Sequence, residues 1–151
     1  MIFPSNPLTP LTLLNPLNLL TPLNPLNLLT LMKIEHIGLN VAEPQKVIAW
    51  WCENLGFIQV HPAFIVDSTG QMSIEFYRND AAPIPDYAKM NPLTMHIAFL
   101  SEDVDVDAAH LVAAGATLLE TVHKPGFDMA MVRDPFGLAI QFVKRGTPIL
   151  R

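Results

Sequence analysis

Apolar and polar residues alternate in short runs along most of the chain, and the runs come in the same order twice. In KIEHIGLNV, residues 33–41, Ile37, Leu39 and Val41 share one face of an extended strand, and His36, Gly38 and Asn40 share the other. The period then lengthens. Val47, Ile48, Trp51 and Leu55 recur at helical spacing after Pro44, which a first turn tolerates, and Gly56 supplies a stop. FIQVH and AFIVDS read as two strands with a turn near Pro62. After Gly70, MSIEFYR reads as a fourth strand. Residues 33–78 therefore predict a βαβββ module.

Residues 79–93 hold three prolines and no periodicity, which predicts a linker. The order then restarts over 94–145. TMHIAFL is a strand, and 104–114 a helix with Ser101 or Asp103 as cap and Gly115 as stop. ATLLETV, DMAMVRD and LAIQFVK are strands, with a turn at Asp134–Gly137. His96 repeats His36, Gly115 repeats Gly56, and AIQFVK repeats SIEFYR, all in the same order. Such agreement marks a tandem duplication. The expected fold class is α+β: two tandem βαβββ modules forming a curled mixed sheet.

Strand parity then sorts the side chains. His36, Glu75, His96 and Gln141 each sit on the face opposite a run of large apolar residues. A two-fold relation between the modules would bring these four around one axis. Two imidazoles, a carboxylate and an amide oxygen suit a divalent ion. Other residues invite simpler readings. His61, His110 and His123 are expected in a turn, a helix and a loop, solvated. Of Trp50 and Trp51, one belongs in the core and the other at an edge or partner. Met129 and Met131 read as packing. Tyr77 and Arg133 are candidates to line a pocket. Asp103, Asp105 and Asp107 form a helix-start cluster that favours the positive end of the dipole.

Composition changes the picture in two places. Residues 1–31 carry no charge and repeat NPLNLLT, and their prolines forbid a membrane-spanning helix. They read as a low-complexity leader, disordered or upstream of a true start at Met32, with the domain over 32–151. The net charge of −5 leaves no basic patch for nucleic acid. A single cysteine, Cys52, excludes a disulfide framework and fits a cytoplasmic setting.

IEHIGLNV, MSIEFY, TMHIAFLSEDV, AAGA and RDPFGLAIQFVKR together resemble the vicinal oxygen chelate superfamily, which includes glyoxalase I, bleomycin-resistance proteins and extradiol dioxygenases. The resemblance covers 33–145. It implies metal ligands at His36, Glu75, His96 and Gln141, with the ion one of Zn, Ni, Co, Mn or Fe. It also implies a homodimer, often with modules of two chains completing one site. Gln141 departs from the glutamate usual at the eighth strand. That leaves Glu75 as the catalytic base of a glyoxalase-type lyase or isomerase acting on a small vicinal-oxygen substrate. Two other readings stay open: a metal-free small-molecule binding protein, and an extradiol-type dioxygenase.

Overall fold

The computed structural model describes residues 33–147 and 149; the leader expected over 1–31 lies outside the described residues. Ten elements follow one another within the unit Ile34–Arg151. They are β1 (His36–Asn40), α1 (Pro44–Leu55), β2 (Ile58–His61), β3 (Phe64–Val66), β4 (Ser73–Tyr77), β5 (Ile97–Leu100), α2 (Val104–Ala113), β6 (Thr117–Lys124), β7 (Phe127–Arg133) and β8 (Ala139–Arg145). Each module is βαβββ. The strands make two four-stranded mixed sheets, ordered β1-β4-β3-β2 and β5-β8-β7-β6. In each sheet the first and last strands of the module pair in parallel. The α+β fold of two tandem βαβββ modules is as expected, with one mixed sheet in each module.

The helices begin and end as their sequences direct. Pro44 opens α1, and Gly56 closes it at φ 70° in the left-handed region. The Asp103 carboxylate caps α2 by accepting from the amides of Asp105 and Val106. Val47, Ile48 and Trp51 of α1 and Val104, Ala108 and Leu111 of α2 are buried. They share one core with Ile65, Ile74 and Phe76 of the first sheet and Val132, Ile140 and Phe142 of the second. Both sheets therefore turn their large apolar residues inward, and strand alternation sends the opposite set of side chains away from that core.

The modules are joined through α1. Trp51 is fully buried and makes edge contacts with Phe57, Phe76 and Phe99, at ring distances of 5.5, 5.2 and 6.1 Å. Its indole N–H donates to the Asp134 carboxylate at 2.9 Å. Asp134 lies in the β7–β8 turn, where the amides of Phe136 and Leu138 donate to the same side chain. Of the two tryptophans Trp51 is the core residue, and Trp50 is half-buried. Its indole donates to the Ala114 carbonyl at the end of α2, and His110 returns a bond to the Asn54 carbonyl near the end of α1. Each helix thus closes a carbonyl of the other, which intrahelical bonding leaves free.

The linker is irregular but pinned. Asn40 donates to the carbonyls of Asn79 and Ala82, and the Tyr87 hydroxyl donates to the Asn40 carbonyl. Arg133, a candidate pocket residue, has its guanidinium committed to the carbonyls of Tyr87, Met90 and Gly137. It serves as a bracket between linker and turn. Gly137 has φ 98°, and a Cβ there would lie 2.5 Å from the Ala88 nitrogen. His61 and His123, expected in a turn and a loop, are exposed strand residues of β2 and β6.

Burial pushes the Asp134 carboxyl above the usual range, against the N–H donors from Trp51, Leu138, Phe136 and Gly137 that pull it back. A carboxyl raised on folding gives stability that is full below its unfolded value of about 3.9 and is lost as pH rises through the folded value. Asp134→Asn is therefore expected to gain on the wild type in melting temperature as pH rises from acid toward neutrality. Asp134→Ala, which strands the indole and two amide donors, is expected to lose about 3 kcal/mol in denaturant titration.

Candidate functional site

The first sheet presents a polar, aromatic face on the side away from the core. Gly38 is paired with Glu75, and Glu75 in turn with Phe64. His36 Nε2 stands 3.7 Å from a Glu75 carboxylate oxygen. Its Nδ1 bonds the Glu35 carboxylate. Phe64 meets the imidazole edge-on at 5.3 Å and 87°. Gly38 keeps the floor of this face open: a Cβ would come within 3.3 Å of the Tyr77 ring and 3.5 Å of the Glu75 carboxylate. The Glu35 hydrogen bond, with charge from Glu35 and then Glu75, lifts the His36 imidazole above its ordinary value, and desolvation opposes the lift.

The second sheet repeats the register. Ala98 pairs with Gln141 as Gly38 pairs with Glu75. His96 stands two residues before Ala98, as His36 stands two before Gly38. It lies just outside β5, where the strand was expected to include it. A turn explains the difference. The amides of Leu93 and Thr94 donate to the side chain and carbonyl of Asn91. That turn carries the Pro92 carbonyl to His96 Nδ1 at 2.9 Å. A carbonyl only accepts, so Nδ1 holds the proton and the Nε2 lone pair of the neutral ring is free.

The surroundings of the two half-sites differ. Met131 pairs with Gln141, Met129 with Val143, and Val122 with Met129. Met129, Met131 and Ala139 form an apolar cluster separate from the main core, with Val122 and Phe127 packed against it. The methionines are packing residues, as expected. They pack on the Gln141 face.

The donor chemistry suits a divalent ion. Two ligands bound at 2.0–2.2 Å to one tetrahedral ion lie about 3.4 Å apart, close to the separation of His36 and Glu75. Metal-bound imidazoles almost always donate their other N–H to a carboxylate or carbonyl, and Glu35 and Pro92 occupy those places. Within one chain the structure brings His36 and Glu75 together. Among the described residues no three His, Cys, Asp or Glu side chains stand close enough to hold an ion. The shared core takes the apolar face of each sheet, and the two histidines stand on the opposite faces. Sequence reasoning missed Glu35, Phe64 and the Pro92 carbonyl. Glu35 adjoins His36 on the opposite strand parity. Phe64 becomes visible only once the β3–β4 register is known. The Pro92 carbonyl lies in an irregular segment with no pattern to read.

A family model described as the Glyoxalase/Bleomycin resistance protein/Dioxygenase superfamily matches residues 33–142. Solved structures share the fold. The antibiotic-binding protein TnmS3 from Streptomyces sp. CB03234 is 18% identical with a TM-score of 0.58, over 76% of this chain and 96% of that one. The glyoxalase family protein APC24694 from Bacillus cereus is 17% identical with a TM-score of 0.61, over 76% and 95%. A superfamily member from Sphaerobacter thermophilus DSM 20745 is 18% identical with a TM-score of 0.56, over 76% and 98%. No curated protein matches the chain. No helix among the described residues is long and apolar enough to cross a membrane.

The His36 environment yields a measurable ranking. Its imidazole is expected to titrate above 6.5 by NMR, and Glu35→Gln should lower that midpoint more than Glu75→Gln does. Equal effects, or a larger one from Glu75→Gln, would contradict the arrangement.

Proposed function

Because the chain belongs to the Glyoxalase/Bleomycin resistance protein/Dioxygenase superfamily, we propose that it binds a divalent metal ion and acts as a lyase or isomerase on a small substrate with vicinal oxygens. The ligands are His36 and Glu75 of one chain with His96 and Gln141 of a second copy. The observation that carries this reading is the matched preparation of the two imidazoles. Each has Nδ1 engaged by an acceptor, and each stands at the same register beside an oxygen-bearing side chain. The homodimer draws support from the exposed edges β1 and β5, where Ile37 and Leu100 are 40% and 80% exposed. Uncovered edges of this kind invite pairing.

A bound divalent ion would supply Lewis-acid polarisation of the two substrate oxygens. The chain's own residues do the rest. Glu75 is the only carboxylate of the four, so it moves the proton on the carbon beside the carbonyl. Gln141 offers an amide oxygen that orients without taking a proton. Phe64 and Tyr77 wall the first half-site, and Gly38 leaves room for the substrate to lie on the sheet.

A second reading has its own support. Gln141, which cannot take a proton, suits a protein that holds a ligand without transforming it. The fold shared with TnmS3, an antibiotic-binding protein, points the same way. Turnover separates the two readings.

The test is elemental analysis of gently purified protein. Wild type is expected to carry an ion. A chain with His36→Ala and Glu75→Ala, and another with His96→Ala and Gln141→Ala, should each lose it. Co-expressing the two variants should restore about half the metal in mixed dimers, since one of two cages is then intact. A metal-free wild type, or mixed dimers without metal, would overturn the proposal. Glu75→Gln should lower turnover of a 2-oxoaldehyde–thiol adduct by roughly 10²–10⁴-fold. Tight binding of that adduct by wild type without turnover would favour the second reading.

A further inference from the structure

Each sheet ends in two outer strands, and the longest of these edges is β6, eight residues exposed along nearly their whole run. Its inner side pairs with β7. Its outer side has no strand beside it among the described residues. An edge of that length is a template for another strand unless something blunts it.

The sequence of β6 says which strand fits. Pro125 and Gly126 make the turn to β7, with Gly126 at φ 76°, and Lys124 and Phe127 close it. Residues that close a two-residue turn bond each other. Backbone direction alternates along a strand, so Val122 also bonds toward β7, while Thr121 and His123 turn their N–H and C=O outward. The register slips between Leu118 and Glu120, and Pro125 has no amide to offer. The regular part of the edge is therefore residues 120–124. Within it one antiparallel register is self-complementary. A two-fold axis at Val122 sets Thr121 of one chain against His123 of the other, outward groups to outward groups, and Glu120 against Lys124. An axis at Glu120 opposes like charges. One at Thr121 leaves Glu120 facing Val122, and one at His123 demands a bond from Pro125.

Glu120 and Lys124 suit that arrangement. Both are exposed, and among the described residues neither is ion-paired. Lys46, Arg78 and Lys89, by contrast, pair with Glu43, Asp80 and Asp86. Charges of one sign would hold two such edges apart. These are of opposite sign, and the two-fold brings each onto the other twice, in the non-bonded pairs where side chains stand closest. Beside the edge, α2 continues the surface. His123 Nε2 stands 3.4 Å from the Asp105 carboxylate, which puts the Asp105 face of α2 on this side. Ala109 and Val112 follow Asp105 at helical spacing, exposed and uncharged.

We propose that two copies of this chain pair through β6, antiparallel about Val122, and so join their second sheets into one. The contact is separate from the β1 and β5 edges invoked for the metal site, and it needs no metal.

The experiment uses the full chain with Cys52→Ser. Val122→Cys would face its own symmetry mate at a Cα separation of about 4.5 Å, within reach of a disulfide. Under mild oxidation it is expected to cross-link into covalent dimers. Thr121→Cys, whose mate is His123, is expected not to. The second arm is analytical ultracentrifugation. Glu120→Lys and Lys124→Glu each set like charges opposite one another, and each is expected to weaken association roughly tenfold. An equimolar mixture of the two variants sets lysines against glutamates and should regain the wild-type association. No cross-link from Val122→Cys, an equal one from Thr121→Cys, single variants that associate like wild type, or a mixture no stronger than its components would overturn the proposal. Adding His36→Ala and Glu75→Ala to Val122→Cys keeps this reading apart from the metal site. A cross-link that persists there supports the β6 contact whatever the metal content, and its loss would count against it.

Discussion

A single buried hydrogen bond, from the Trp51 indole to the Asp134 carboxylate, fixes how the halves of this molecule face each other. It links the helix of one module to the last turn of the other at a point with almost no access to water. Neither partner has an easy substitute. An indole N–H buried without an acceptor, or a carboxylate buried without its donors, costs a few kcal/mol. Around it the Phe57, Phe76 and Phe99 rings close a shared aromatic core. Both helices contribute to the same core, so both sheets must turn their large apolar residues toward it. The place of the two histidines on the opposite faces follows from that packing and from the two-residue period of a strand.

That consequence separates what the sequence reveals from what it does not. Alternation located all eight strands, and Pro44, Asp103, Gly56 and Gly115 marked helix ends, because those signals are local. The duplication exposed the matched positions His36 with His96 and Glu75 with Gln141, and the sheets keep that match to the residue. The relation between modules was not legible. It depends on Trp51 finding Asp134 across 83 positions of chain, which no periodicity encodes. The same holds for Arg133. Strand parity made it a pocket candidate, but three carbonyls of the linker and turn claim it.

The supporting shell of each imidazole was also hidden, for two different reasons. Glu35 precedes His36 and falls on the opposite strand parity, yet β1 begins only at His36, so its carboxylate is free to swing back to Nδ1. Pro92 contributes a carbonyl, which its side chain does nothing to announce. The Asn91 turn aims it. Two unrelated local solutions thus prepare the two rings in the same way. Convergence on one hydrogen-bonding state is hard to attribute to packing alone, since packing constrains where a ring lies more than which nitrogen carries its proton.

The exchange of a carboxylate for an amide at Gln141 makes sense against its neighbours. Glu75 sits among His36, Tyr77 and an open glycine floor, where an ionised group keeps polar company. Gln141 sits in register with Met131, which is almost wholly buried. A carboxylate there would lose part of its hydration against the methionines, with Glu120 across from Met131 adding like charge rather than relief. An amide presents a similar oxygen without that penalty. The second sheet thus carries a buried apolar cluster up to Gln141, while the first sheet retains the acid. The two halves of the duplication have therefore diverged in kind. One carries an ionisable acid beside an imidazole, and the other an amide in register with buried methionines.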